Sequence, residues 1–478
     1  MTIELLDVCV SHNRRTLVDV PGMTLEPGRA VTIVGESGSG KSLLAHALMG
    51  SLPSSLDVTG RLRIGDEWSS LSDTGAQQRL WGRHLALLPQ EPVLALDPTM
   101  PVRAQVAEGN PAFFKNRHGR RTALTRAEQR LSGLGLDGVG RSYPHTLSGG
   151  MAQRVAFAAA TMGGAAVLIA DEPSKGLDSG SRDALAEMLI QHIGRGGSLL
   201  TITHDLDLAR ALGGTVLVMQ QAAIVEQGPA DQVLTAPAHP WTRRLLAAEP
   251  SQWNPSWRGT PDCSSTTLIE ATGLRKAYGD RPLFEGLDLK IAAGERLALT
   301  GPSGCGKTTL GGILLKLLRP DTGTVQHHGL SGGQAQKLYQ DPAVAFAPRV
   351  RIKDSFNDVV RRHRADPRRV GVLLDRLGLD HALLDRWPAS VSGGELQRLA
   401  IIRAMLVKPK VLFADEPTSR LDLLTQEETM SCLLDQVSKH DTALVLVTHD
   451  HSLAAAVTTR HMSLPGVEGS QRILEQIA

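Results

Sequence analysis

Aromatic residues are scarce in this sequence of 478 residues, which contains seven Phe, six Trp and three Tyr. Stacking platforms for single-stranded nucleic acid need such rings, so few can be built here. The formal net charge is only +2, so the excess of basic residues that marks a dedicated nucleic-acid binder is also missing. We therefore expect no nucleic acid among the partners of the protein.

Cysteines and long apolar runs are scarce as well. The four cysteines, Cys9, Cys263, Cys305 and Cys432, are far apart and fall in no metal-ligand spacing. This pattern is typical of a reducing, cytoplasmic compartment. No uninterrupted apolar run reaches the length of about 18 residues that indicates a membrane-spanning helix. The first residues lack the basic and apolar regions of a signal peptide, so we expect neither a membrane span nor a cleaved leader.

One phosphate-binding pattern occurs twice. The segment Gly35-Glu-Ser-Gly-Ser-Gly-Lys-Ser42 recurs as Gly301-Pro-Ser-Gly-Cys-Gly-Lys-Thr308. Its glycines let backbone N–H groups surround a β-phosphate, its Lys reaches the β- and γ-phosphates, and its Ser or Thr hydroxyl ligates Mg²⁺. Each copy lies between a strand-like run and a helix-like stretch, whose N-terminus favours an anion. The sequence predicts two sites for ATP and Mg²⁺, formed by Gly35, Ser37, Gly38, Gly40, Lys41 and Ser42 and by Gly301, Ser303, Gly304, Gly306, Lys307 and Thr308.

Later motifs recur in the same order, which indicates one fold used twice. Leu-Ser148-Gly-Gly returns as Val-Ser392-Gly-Gly, and a strand-like run that ends in Asp-Glu follows each copy at the same interval. The segments between the phosphate loop and Ser-Gly-Gly are shorter in the second half. We predict two domains, over residues 1–250 and 267–478, joined by a Pro- and Ser-rich linker over 251–266.

Several polar residues stand at matching positions of the two halves. Two adjacent carboxylates at the end of a buried strand suit a division between metal binding and activation of water. A His follows another strand in the setting Thr-His-Asp, and a Gln precedes Glu-Pro or Asp-Pro. The residues are Gln90, Asp171, Glu172 and His204 in the first half and Gln340, Asp415, Glu416 and His449 in the second. With the phosphate loops, these motifs resemble those of ABC transporter nucleotide-binding domains over almost the whole chain.

This resemblance implies both fold and chemistry. Each domain is expected to be an α/β P-loop NTPase fold with a mainly parallel sheet, an antiparallel β subdomain and a helical subdomain. The resemblance assigns Asp171 and Asp415, with Ser42, Thr308, Gln90 and Gln340, to the Mg²⁺ sphere. It assigns Glu172 and Glu416 to polarising the attacking water, and His204 and His449 to contact with the γ-phosphate.

The family's signature sequence appears three times, once as a decoy. Leu330-Ser-Gly-Gly-Gln334 lies before Gln340, too close to the phosphate loop, and no apolar-periodic helix follows it. We interpret it as a polar loop. The expected signatures are Ser148, Gly149 and Gly150 and Ser392, Gly393 and Gly394, which begin helices and offer N–H groups and a hydroxyl to a γ-phosphate. In this family each signature completes the site of the opposite domain, so the two domains are expected to pair head to tail.

The residue that stacks on adenine is expected upstream of each phosphate loop. Tyr278 holds that position in the second half and His12 in the first. Tyr278 offers a stacking ring, whereas His12 is either a weaker platform or simply a loop residue.

Finer features resemble the peptide/nickel importers. They include Gln90-Glu-Pro, Tyr143-Pro-His-Thr and the tail His239-Pro-Trp-Thr. The resemblance implies a peripheral subunit at the cytoplasmic face of the inner membrane, which drives two permease subunits served by an extracytoplasmic solute-binding protein. The cargo would be a metal chelate, nickel or a short peptide. Some relatives carry a cysteine cluster, but Cys263 stands alone, so no iron–sulfur site is expected. The alternative is a soluble tandem ATPase acting on ribosomes or DNA.

Overall fold

The computed structural model describes residues 2–259, 266–279, 281–465 and 474–477. The chain forms two compact units, Met1–Leu246 and Ala247–Ala478. Cys263 and residues 260–265 of the predicted linker lie outside the described residues, so the expectation about Cys263 stays a prediction.

The first unit contains one ten-stranded sheet. Its strands are β1 (Ile3–His12), β2 (Arg15–Leu25), β3 (Ala30–Gly35), β4 (Asp57–Ile64), β5 (Glu67–Ser70), β6 (Leu85–Leu88), β7 (Val167–Asp171), β8 (Ser198–Ile202), β9 (Thr215–Gln220) and β10 (Ala223–Pro229). Their order is β5-β4-β1-β2-β10-β9-β3-β8-β7-β6.

Two kinds of strand make up this sheet. Strands β6, β7, β8, β3 and β9 are parallel neighbours. Every residue of β3, β7 and β8 is buried, as expected for parallel strands covered on both faces. Strands β1, β2, β4 and β5 pair antiparallel and form the β subdomain.

Some helices of the first unit pack against the sheet, and others form the helical subdomain. They are α1 (Lys41–Met49), α2 (Thr74–Gln78), α3 (Pro92–Ala95), α4 (Val102–Glu108), α5 (Arg117–Ser132), α6 (Gly149–Thr161), α7 (Ser179–Gly194), α8 (Leu206–Leu212), α9 (Ala230–Val233) and α10 (Pro240–Ala247). Helices α4, α5 and α6 share a small core of their own that includes Val106, Leu131 and Val155.

The second unit repeats the arrangement with two sheets. Its strands are β11 (Thr267–Tyr278), β12 (Arg281–Ala292), β13 (Arg296–Thr300), β14 (Thr322–His327), β15 (Ala335–Leu338), β16 (Val411–Asp415), β17 (Ala443–Val447), β18 (Arg460–Ser463) and β19 (Leu474–Ile477). The order β15-β16-β17-β13-β18-β19 matches β6-β7-β8-β3-β9-β10 of the first unit, and β12-β11-β14 form the antiparallel sheet. The predicted α/β fold, used twice, is confirmed.

Among the described residues, the second unit has fewer helices than the first, in agreement with its shorter connecting segments. They are α11 (Lys307–Leu314), α12 (Ile352–His363), α13 (Arg368–Arg376), α14 (Gly393–Met405), α15 (Leu423–Lys439) and α16 (His451–Val457). Helices α12, α13 and α14 form the helical subdomain around Phe356, Leu374 and Leu399. Across the described residues, none of the helices combines the length and the apolar character needed to cross a membrane.

Part of the predicted linker is folded against the second unit. Residues 250–252 and 255–258 form two short 3₁₀ turns. Trp253 lies in the same apolar core as Leu453 and Val457 of α16, and its indole N–H donates to the carbonyl of Ala248 at 2.9 Å. Arg258 donates to the carbonyl of Ala455 at 2.9 Å. These contacts explain why residues from 247 onward belong to the second compact unit.

Candidate functional site

The first phosphate loop joins the end of β3 to the start of α1. Gly35, Gly38 and Gly40 have φ of 154°, 81° and 99°, and a Cβ on Gly40 would lie 2.4 Å from the carbonyl oxygen of Leu17. Only glycine fits this path without strain. Lys41 is 7% exposed, and its Nζ donates to the carbonyls of Gly35 at 2.9 Å and Glu36 at 2.6 Å. The loop thus holds a buried ammonium at the helix N-terminus.

The second phosphate loop repeats this geometry between β13 and α11. Gly304 and Gly306 have φ of 77° and 101°. Lys307 is 7% exposed, and its Nζ donates to the carbonyls of Gly301 at 2.8 Å and Pro302 at 2.9 Å. Both loops therefore present one buried ammonium and a helix N-terminus, the two features that bind nucleotide phosphates.

Each phosphate loop also brings a hydroxyl to a carboxylate at the end of a neighbouring strand. Ser42 Oγ donates to Asp171 Oδ1 at 3.1 Å, and Thr308 Oγ1 donates to Asp415 Oδ2 at 2.7 Å. Burial raises the pKa of both aspartates above the ordinary value. Hydroxyl and carboxylate oxygens are the hard ligands that Mg²⁺ prefers, so both pairs fit the ion. Bound there, Mg²⁺ would supply charge neutralisation for the phosphates.

Glu172 follows Asp171 and pairs with the predicted histidine. His204 Nδ1 lies 2.7 Å from Glu172 Oε2. Burial alone would raise the pKa of Glu172, but His204 and Lys41 together hold that pKa below its ordinary value. Burial alone would lower the pKa of His204, and the Glu172 carboxylate raises it instead. The carboxylate is therefore kept ionised, which the predicted role in polarising water requires.

The second unit forms the same pair with one addition. His449 Nε2 lies 2.9 Å from Glu416 Oε1, and Gln340 Nε2 donates to Glu416 Oε2 at 2.9 Å. Among the described residues, Gln90 makes no such bond to Glu172. The structure thus brings Gln340 into contact with Glu416 and leaves Gln90 half-buried just after β6.

Both glutamates occupy strained backbone. Glu172 and Glu416 have φ of 46° and 48°, in the left-handed region, which costs roughly 1–2 kcal/mol for a residue with a side chain. The Glu172 N–H donates to Ile202 at 2.8 Å and the Glu416 N–H to Val447 at 3.0 Å, so the neighbouring strand fixes the turn. Backbone strain of this kind occurs where the fold must fix the direction of a functional side chain.

Most predicted residues of the second site line one cavity of about 340 Å³. Tyr278 also lines it and is 57% exposed, which leaves its ring accessible for stacking. His12 has both ring nitrogens engaged, Nδ1 with the Ser55 carbonyl at 2.9 Å and Nε2 with Asn13 at 2.9 Å. The other predicted residues on the cavity wall are Ser303, Gly304, Gly306, Lys307, Thr308, Gln340, Asp415, Glu416 and His449.

The two signature serines begin helices, whereas the decoy does not. Ser148 Oγ accepts from the Met151 N–H at 3.3 Å, and Ser392 forms a reciprocal cap with Glu395. Gly150 and Gly394 follow at the first turns, and a Cβ on Gly150 would lie 2.4 Å from Ser181 Oγ. Ser331 lies in a turn that leads into β15, where its N–H donates to Gln334 at 2.8 Å.

Replacing Ser392 with Ala should lower ATP turnover at least about tenfold, because the hydroxyl that is predicted to contact the γ-phosphate would be lost. Ser331→Ala should leave turnover unchanged. Steady-state phosphate release from the purified chain measures both. Loss of a helix cap alone costs about 1 kcal/mol, so Asn116→Ala, which removes the cap of α5, is the matched control. A sensitive Ser331 would mean that the decoy is the working signature.

Sequence reasoning missed one charged residue beside the second site. Lys337 Nζ lies 3.8 Å from Asp415 Oδ2, the oxygen that also accepts the Thr308 hydroxyl. The available signal was a lysine inside a short strand, at the position where the first half has Leu87.

Comparisons with known proteins agree with this geometry. Residues 18–175 and 284–419 match the ABC transporter family. A peptidoglycan transport ATP-binding protein, YejF, of Agrobacterium fabrum is 34% identical over 92% of this chain and 86% of its own length. A glutathione import ATP-binding protein, GsiA, of Escherichia coli is 31% identical over 96% of this chain and 84% of its own.

Solved structures with two such domains are also similar. An RNase-L inhibitor aligns with a TM-score of 0.67 at 22% identity, over 95% of this chain and 87% of that one. An archaeal ribosome recycling factor in complex with a ribosomal stalk protein aligns with a TM-score of 0.66 at 23% identity, over the same shares. At these identities the likeness concerns the fold alone.

Proposed function

The chain belongs to the ABC transporter family, and we propose that it is the ATP-hydrolysing motor of an importer in the peptide/nickel group. The observation that carries the proposal is similarity over nearly the full length to proteins named as transport and import ATP-binding proteins. The chain would act at the cytoplasmic face of the membrane on two permease subunits, with cargo delivered by a solute-binding protein. Short peptides and metal chelates are the proposed cargo classes.

The two units would form two composite sites by pairing head to tail. One site would combine the first phosphate loop with the second signature, and the other would combine the second loop with the first signature. In support, both units retain a buried loop lysine, a hydroxyl–aspartate pair and a glutamate–histidine pair. Neither half has lost a member of the set, so we propose that both sites hydrolyse ATP.

Each glutamate would act on the attacking water from its strained position at the strand end. Asp171 and Asp415 would hold Mg²⁺ together with Ser42 and Thr308, and the loop lysines would bind the β- and γ-phosphates. A γ-phosphate near His204 or His449 would give the imidazole a second anionic partner besides the glutamate. Such positioned charges stabilise the transition state of phosphoryl transfer.

The proposal is tested by purifying the tagged Glu172→Gln/Glu416→Gln chain from membranes of its native cell and identifying its partners by mass spectrometry. We expect two polytopic permeases to copurify. A matched preparation of an unrelated tagged cytoplasmic protein removes background. Ribosomal or DNA-repair proteins in place of permeases would overturn the transport function and favour a tandem ATPase of the soluble class.

A further inference from the structure

Lys337 places a fixed cation at the metal-binding carboxylate of the second unit. The side chains of Lys337 and Asp415 are 8% and 3% exposed, and Nζ and Oδ2 are 3.8 Å apart. The ammonium also lies 5.2 Å from the ring centroid of Tyr339 and 5.7 Å from that of Phe413. A carboxylate and two aromatic faces are the surroundings that stabilise a buried ammonium.

The first unit has no lysine at the strand position that matches Lys337. Lys337 of β15 pairs with Phe413 of β16, and at the same register Leu87 of β6 pairs with Ile169 of β7. The aspartate that follows is retained in both strands. Leu87 packs into the apolar core instead of carrying a charge.

The neighbours of Lys337 differ between the halves in a consistent way. Tyr339 replaces Pro89, and Phe413 replaces Ile169, so both rings that flank the ammonium are specific to the second half. Gly311 replaces Ala45 on the helix after the phosphate loop, and a Cβ on Gly311 would lie 2.2 Å from the Phe413 ring. The second half is therefore shaped to accept the Phe413 ring and, with it, the buried lysine.

We propose that Lys337 makes the two ATP sites unequal by sharing Asp415 with Mg²⁺, so that nucleotide binding at the second phosphate loop depends less on Mg²⁺ than binding at the first. The inference rests on the proposed function, because it concerns the same ATP sites. Lys337 is a positioning residue that acts through Asp415.

The physical reason is electrostatic. A unit charge about 4 Å from a carboxylate in a partly buried setting interacts with it strongly, since little water screens the pair. Without Mg²⁺, Lys337 reduces the repulsion between Asp415 and incoming phosphates. With Mg²⁺ present, Lys337 repels the metal ion and competes with it for the carboxylate of Asp415. Both effects shrink the gain in nucleotide affinity that Mg²⁺ provides.

The experiment measures that gain at one site at a time. In the full-length chain, Lys41→Ala leaves the second site for binding and Lys307→Ala leaves the first. The affinity of a fluorescent ATP analogue is measured in EDTA and in excess Mg²⁺, and the ratio of the two affinities is the magnesium gain. We expect the gain to be about tenfold larger at the first site.

Exchange variants assign the difference to the lysine. Lys337→Leu should raise the gain at the second site about tenfold, Leu87→Lys should lower it at the first, and Lys337→Arg should keep the second site as it is. Lys353→Leu, on the exposed face of α12, is the control and should change nothing. Thermal unfolding of each variant shows that the folds are comparable, and Lys337→Arg keeps the test valid if Leu87→Lys does not fold.

The outcomes separate this inference from the proposed function. Equal gains at the two sites, or a second-site gain that Lys337→Leu does not change, overturn the role of Lys337 and leave the ATP sites intact. No measurable binding to the chain with both loop lysines in place overturns both the inference and the assignment of the phosphate loops. Permease identification is independent of all these measurements.

Discussion

Replacing both glutamates at the strand ends, Glu172→Gln with Glu416→Gln, is expected to abolish steady-state ATP hydrolysis while ATP still binds. The amide keeps the size and hydrogen-bonding reach of the side chain but cannot accept a proton or polarise water as a carboxylate does. General-base help of this kind contributes about 10²–10⁴-fold in rate. Phosphate release and retention of radiolabelled ATP, measured on the same preparation, give the two quantities.

The matched control is Glu67→Gln on exposed strand β5, which should retain full turnover. Each single glutamine variant should show how far one site can work alone. Turnover in the double variant equal to that of the wild type would contradict the role given to these carboxylates.

Removing the loop ammonium is expected to have the second largest effect. Lys41→Ala and Lys307→Ala should each weaken nucleotide binding at the altered loop about 10- to 100-fold, since a charge-assisted hydrogen bond contributes about 1.5–3 kcal/mol. Both ammonium groups are already held by two loop carbonyls, so little reorganisation is needed to reach a phosphate. Calorimetric titration with ATP and Mg²⁺ measures the loss.

Lys353→Ala, an exposed lysine paired with Asp385, should leave both affinities unchanged. Wild-type affinity in the Lys41→Ala/Lys307→Ala double variant would show that ATP binds elsewhere in the chain. Circular dichroism of the same samples confirms that the fold has not changed.

Much of the fold could be predicted because its signals are local. The phosphate loops lie where the glycine pattern predicts them, between a buried strand and a helix, and the hydroxyl–aspartate and glutamate–histidine pairs form in both units. The carboxyl ends of neighbouring parallel strands meet at one sheet edge, which is why strand-end residues distant in sequence come together. Roles for these residues remain predictions for the experiments above.

Other features depend on tertiary packing, which a single sequence records weakly. The composition of the Pro- and Ser-rich segment 251–258 predicts a loop, yet Trp253 makes the segment part of the core of the second unit. The two tryptophans of this segment are the one feature of its sequence that indicates burial. The position of Lys337 could not be predicted either, since a lysine in a strand of four residues is expected to face solvent. Only the register of the sheet shows that it lies against Phe413 and Asp415.

The glutamine that follows each edge strand also has different contacts in the two halves. Gln340 contacts Glu416 directly, whereas Gln90, in the same sequence setting, is placed without that contact among the described residues. The two glutamines follow backbone segments of different composition, Leu-Pro before Gln90 and Leu-Tyr before Gln340.

The central claim is that one chain carries two complete ATP sites. The most direct measurement is the number of ATP molecules retained per chain by the Glu172→Gln/Glu416→Gln variant after removal of free nucleotide in the presence of Mg²⁺. We expect two ATP molecules per chain, falling to one when either loop lysine is also replaced by alanine. One ATP per chain that disappears with only one of the two lysines would contradict it.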